Sequence, residues 1–175
     1  MPTPFALFGL PATFALDLKV LERAQRELGK TIHPDTASDP AERRALAEQS
    51  TVANEGYRAL RDPVTRAELL FQLAGVATGD GHEPKPTAAF LMDMLEKREA
   101  LAEARTSKDR ATVEALAAEI RTQRNAAEAA LSALFSGVVP SQLDAQPGLV
   151  HLGSLRYYRR FLEEAMATLD EWDDA

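Results

Sequence analysis

The sequence predicts an all-α protein. Ala and Leu supply 31 and 23 of the 175 residues, whereas Ile and Val together supply 10. Ala and Leu suit helices, and few of the β-branched side chains that favour strands are present. Asp-Pro occurs at Asp39-Pro40 and again at Asp62-Pro63. This pairing puts a capping carboxylate just before a proline at the first helical position, where the missing N–H costs nothing. No segment reads convincingly as a strand.

Taken in order, Phe5 to Leu10 reads as a short apolar helix stopped by Pro11. Asp17 caps a second helix running to about Ile32, and His33 to Asp39 forms a loop. Asp39 caps a third helix, to about Leu60, and Asp62 launches a short fourth that ends at Gly75. Residues 75–86 are dense in Gly, Pro and Asp and read as a linker. Thr87 caps a fifth helix to about Arg105, Ser107 starts a sixth to about Ser136, and a break over Phe135 to Gly148 precedes a last helix from Leu149 to Trp172. The expected domains are therefore 1–75, a linker over 76–86, and a helical bundle over 87–175.

Composition narrows the chemistry. The sequence has no cysteine, which excludes a disulfide framework, a thiol nucleophile and thiolate-ligated metal. Lys and Arg number 20 against 27 Asp and Glu, a formal charge of −7, so a broad electrostatic grip on nucleic acid is not expected. No run approaches the roughly 18 apolar residues of a membrane span, and the first residues lack the marks of a signal or transit peptide. A cytoplasmic location is expected, with no cofactor and no metal site.

The helix from Asp17 has an informative wheel. Leu18, Leu21, Ala24, Leu28 and Ile32 share the expected core face. Lys19, Arg23, Arg26 and Lys30 fall in a narrow arc opposite, with Glu22 and Glu27 outside it. One reading is an ordinary solvated face. The other is a docking ridge, because like charges at i,i+4 repel and alternating signs would stabilise better. The ridge leads into His33-Pro34-Asp35, where the proline must end the helix. His33 and Asp35 have no nucleophile context, so a catalytic pairing is not indicated.

A short aromatic helix, a basic helix, His-Pro-Asp in the loop and a long returning helix together resemble the J-domain of DnaJ-type co-chaperones. The resemblance implies that His33, Pro34 and Asp35, with Lys19, Arg23, Arg26 and Lys30, engage a DnaK-class chaperone and stimulate its ATPase. Thr36 stands where that family usually has a basic residue, and Ile32 where it commonly has Tyr.

Three further stretches are more specific: residues 5–11 (FALFGLP), residues 60–70 (LRDPVTRAELL) and residues 90–99 (FLMDMLEKRE). With them the chain resembles the HscB family, the J-proteins of iron–sulfur cluster assembly. That resemblance implies an N-terminal J-domain, a helical hairpin with short flanking helices, joined in an L shape to a C-terminal three-helix bundle. On the wheel of the fifth helix Phe90, Met94 and Leu101 point to the core. Leu91, Met92, Leu95, Glu96, Glu99 and Glu103 occupy a separate, contiguous side. By itself that side reads either as a half-buried boundary of the bundle or as an apolar anchor with an acidic rim. The family resemblance implies that these six residues, with Tyr157 on the last helix, bind an IscU-type scaffold protein.

Charge partition fits two partners. Residues 1–75 carry 9 basic and 10 acidic side chains, a net of −1, and residues 76–175 carry 11 and 17, a net of −6. The expected function is a non-enzymatic co-chaperone that delivers the scaffold to an HscA-like chaperone. The alternatives are a general J-domain adaptor and a helical scaffold protein with a degenerate J-domain.

Overall fold

Most helices in this chain begin where a side chain can accept their free N–H groups. The computed structural model describes residues 2–79, 81–136 and 145–174. They form seven α-helices and no strand: α1 (Pro4–Leu7), α2 (Leu18–Thr31), α3 (Pro40–Arg61), α4 (Pro63–Leu73), α5 (Ala88–Ser107), α6 (Arg110–Leu134) and α7 (Ala145–Asp173). A single 3-10 turn, Pro34–Thr36, lies between α2 and α3. Asp17 accepts the Lys19 N–H at 2.8 Å, and Asp39 accepts those of Ala41 and Glu42 at 2.8 Å. Asp62 accepts from Thr65 at 3.0 Å, and Thr87 from Phe90 at 3.2 Å. These caps stand where the sequence places them.

Several boundaries differ. α1 stops at Leu7, and Gly9 turns the chain with φ +64° before Pro11 can act. α4 ends at Leu73, with Gly75 in the left-handed region closing it. There Val76 N–H reaches Phe71 O at 2.9 Å and Gly75 N–H reaches Gln72 O at 3.0 Å, a Schellman pair. Ser107 belongs to α5, because its hydroxyl donates back to Glu103 O at 2.9 Å. Lys108 then takes φ 55° and Asp109 caps α6 through the Thr112 N–H at 3.1 Å. α7 begins at Ala145, ahead of Leu149, with Pro147 in its first turn. The remainder of the expected break, residues 137–144, lies outside the described residues.

The chain divides into two compact units, Met1–Leu70 and Phe71–Ala175, with the division inside α4. In the first, Phe5, Phe8, Phe14, Leu21, Ala53, Leu60, Val64, Ala67 and Leu70 are buried. Arg66 is buried among them. It donates to Leu60 O at 2.8 Å at the end of α3, and its guanidinium stacks 4.8 Å from the centre of the Phe14 ring. Leu18, placed on the core face by periodicity, is exposed. It lies in the first turn of α2, and helical side chains lean toward the N-terminus, here past the end of the helix.

In the second unit α5, α6 and α7 form a three-helix bundle. α7 is its spine, burying Leu149, Leu152, Leu155, Tyr158, Phe161, Leu162, Ala165 and Leu169. Phe71 packs edge-on to Phe135, ring centres 5.0 Å apart. The free ends of the helices are tied by charge. Arg105 reaches Glu171 at 2.9 Å, and Arg110 grips both oxygens of Asp173 at 2.7 and 3.2 Å. That guanidinium holds the Asp173 carboxyl below the usual carboxylate range. Among the described residues no helix is long and apolar enough to cross a membrane.

Two glycines of α7 differ in their surroundings. A β-carbon added at Gly148 would lie 2.8 Å from the Phe71 ring and closer still to a Leu134 methyl, whereas one at Gly153 meets nothing within 4 Å. Overpacking a core costs about 1–3 kcal/mol, and replacing a mid-helix glycine by alanine gains about 0.5–1 kcal/mol. Gly148→Ala should therefore lower the stability of this unit and Gly153→Ala should raise it. Urea titrations followed by the fluorescence of the single tryptophan, Trp172 in α7, will read both signs. A gain at both positions would contradict the packing described at Gly148.

Candidate functional site

The first candidate surface is built by α2 and the turn that ends it. Lys19, Arg23, Arg26 and Lys30 are all exposed along one side of α2. The ridge is less pure than the wheel implies, since Lys30 Nζ lies 2.7 Å from Glu27 and the contact holds the Glu27 carboxyl below its ordinary range. Both side chains are well exposed, so the pair is screened and weak. Beyond Ile32 the chain turns at His33-Pro34-Asp35. His33 caps the 3-10 turn, its Nδ1 accepting the Asp35 N–H at 3.3 Å, while the Thr36 hydroxyl donates to His33 O at 2.7 Å. The Asp35 carboxylate is not used inside the turn. It stands in solvent, its nearest oxygen 3.6 Å from His33 Nδ1. Arg26, Lys30 and His33 line one groove between α2 and α3, whose other wall is Ser50, Ala53 and Asn54 of α3. The wheel of α2 could not supply that wall, because it lies on another helix.

The second candidate surface lies on α5. The bundle takes one side of this helix, burying Met94, Leu101 and Ala104. Two basic residues tie it to its neighbours. Lys97, whose side chain is 11% exposed, reaches Glu119 of α6 at 3.0 Å and also contacts Asp93. Burial works against its charged form, but the two carboxylates more than offset this and hold its pKa above that of an ordinary lysine. Arg98 approaches Glu164 of α7 at 3.6 Å. With α5 held so, Leu91, Met92 and Leu95 are 41, 55 and 49% exposed, and Glu96, Glu99 and Glu103 are exposed beside them.

Tyr157 of α7 joins this side. It meets Phe90 edge-on, ring centres 5.3 Å apart, and lines a groove with Leu91, Met94, Leu95, Arg98 and Arg160. Arg160 of α7 puts positive charge on one flank of the patch, and Arg98 of α5 lines the same groove. The α5 wheel misses Arg160; only packing brings α7 alongside. Next to the patch, burial raises the pKa of Tyr158, with the Asp93 charge adding to it. Among the described residues no three His, Cys, Asp or Glu side chains converge on a metal-sized site. Both candidate surfaces are open faces with the character of docking sites.

A helical hairpin that carries a basic helix into His-Pro-Asp, followed by a three-helix bundle, defines a J-domain protein with a C-terminal helical module. Residues 86–166 match the family model described as the HSCB C-terminal oligomerisation domain. The chain is 42% identical over 133 residues to a co-chaperone protein HscB homolog of Burkholderia mallei, covering 75% of this chain and 76% of that one. It is likewise 42% identical to a Bordetella petrii homolog, over 75% of this chain and 77% of that one. The fold superimposes on the chaperone HscB from Vibrio cholerae with a TM-score of 0.80 at 26% identity, over 97% of this chain and 99% of that one. The chain belongs to the HscB family of co-chaperones.

Because Leu91 and Leu95 stand outside the bundle, truncating them should hardly touch its stability. Substitutions at exposed positions usually fall within about 0.5 kcal/mol. The urea midpoint of Leu91→Ala with Leu95→Ala should therefore stay close to that of the native chain. A loss of about 3 kcal/mol or more would mean that these side chains are core.

Proposed function

We propose that this co-chaperone binds an IscU-type iron–sulfur scaffold protein on the α5–α7 face and presents it to a DnaK-class, HscA-like chaperone in the cytoplasm. The observation that carries the reading is the exposed Leu91–Met92–Leu95 cluster, rimmed by Glu96, Glu99 and Glu103 and completed by Tyr157. An apolar centre with a charged rim suits reversible protein docking. On the first unit, His33, Pro34 and Asp35 engage the chaperone while Lys19, Arg23, Arg26 and Lys30 steer the encounter. Stimulation asks only that this contact favour the hydrolysis-competent state of the chaperone over its other state. No bond chemistry is assigned to any residue here.

Two measurements test the two surfaces. His33→Gln should abolish most of the stimulation of steady-state ATP hydrolysis by the chaperone, and equal stimulation by both proteins would remove the J-domain role. Covering a fully exposed Leu is worth roughly 1.5–3 kcal/mol, and Leu91 and Leu95 are each about half exposed. The double alanine variant should therefore lose about tenfold or more in scaffold affinity, at about 1.4 kcal/mol per decade. Calorimetric titration showing unchanged affinity would return this face to an idle surface.

A further inference from the structure

Gly153 is a helix-weakening residue whose cost nothing inside the chain offsets. Glycine within a helix costs about 0.5–1 kcal/mol relative to alanine. At Gly148 the close approach of Leu134 and Phe71 explains the choice, but at Gly153 an added β-carbon would enter open space. That space is a groove. Gly153 lines it together with Pro84 and Pro86 from the segment before α5 and Tyr157 and Arg160 of α7. The proline wall is anchored, because the Glu83 carboxylate accepts the Gly79 N–H at 2.7 Å and pairs with Arg156.

Two further features describe what the groove would hold. Lys85 and Arg160, both exposed and both lining it, make no ion pair or hydrogen bond with a described residue. Among the described residues they have no acidic partner, on a half of the chain with a net charge of −6. Tyr157 and Arg160 also line the groove of Leu91 and Leu95, so the two grooves adjoin along one wall.

We propose that this groove is the second half of the scaffold-docking face. It takes an extended, carboxylate-bearing segment of the scaffold protein, whose backbone passes over Gly153 while its acid pairs with Arg160 and Lys85. The inference rests on the reading of the Leu91–Leu95 face as the scaffold site and extends it. The docking surface is then bipolar, with carboxylates on the α5 flank and guanidinium and ammonium on the α7 flank, and it accepts its partner in one orientation. The absence of a side chain at residue 153 is a specificity feature retained against helix stability.

The test uses the full chain and a purified IscU-type scaffold protein in calorimetric titrations, with urea midpoints measured in parallel. Gly153→Gln, a good helix former that fills the groove, should bind at least tenfold more weakly without a lower midpoint. Lys85→Glu with Arg160→Glu should weaken binding at least tenfold, and the deficit should shrink as salt is raised. Should Gly153→Gln fail to fold, Lys85→Glu alone decides, because Lys85 lines this groove and not that of Leu91 and Leu95. Native affinity in both, with Leu91→Ala/Leu95→Ala weakened, overturns the groove while leaving the scaffold face standing. Native affinity in the alanine variant removes the scaffold face, and the groove with it. Sedimentation adds a further check: a native dimer that Gly153→Gln dissociates would assign the groove to a second copy of this chain and overturn the proposal.

Discussion

A twenty-residue helix with apolar residues on more than one side cannot bury all of them against a single bundle, and this constraint on α5 governs the second half of the molecule. Phe90, Met94 and Leu101 compete with Leu91, Met92 and Leu95 for the interior. Met94 and Leu101, with Ala104, take the interior, and Phe90 is half-buried. With Met94 and Leu101 facing inward, Lys97 also reaches Glu119 of α6 while keeping its contact with Asp93 on α5. The three losing side chains then stand in water beside three carboxylates. Their exposure follows from packing, and it leaves apolar area available to a partner without any rearrangement of the bundle.

The first unit solves a different problem with the same means. Its α2 is amphipathic, and the helix must stop where proline follows His33. The stop is built from local hydrogen bonds, the Asp35 N–H to Nδ1 of His33 and the Thr36 hydroxyl to His33 O, and the turn also contacts α3. The Asp35 carboxylate is left over from this arrangement and faces solvent. Placing a free acid at the end of a basic ridge gives the surface both signs of charge within a few residues, which favours one orientation of approach over net attraction alone.

The glycines of α7 show stability and recognition drawing on one helix. Gly148 lets Leu134 and Phe71 approach the backbone, and the core around it depends on that absence of a side chain. Gly153, one and a half turns later, faces a groove, and a β-carbon there would meet no described residue within 4 Å. Identical residues in one element thus carry opposite consequences for folding, and only the neighbours distinguish them.

What the sequence by itself determined are the features set by adjacent residues. Asp17, Asp39 and Thr87 cap α2, α3 and α5 because a short acceptor precedes a helix-forming run, and the His-Pro-Asp turn forms because proline permits nothing else there. The basic ridge and the two sides of α5 were legible for the same reason, since helical period is a local property. Ser107 was the expected start of α6, but its hydroxyl turns back onto α5 and Asp109 takes the cap instead. Tertiary structure alone decided how much of Leu91, Met92 and Leu95 stays outside the bundle, that Arg160 stands beside Leu91 and Leu95, and that Leu18 remains outside the core. These depend on residues brought together from distant parts of the chain, where burial and charge pairing outweigh the preferences of any single segment.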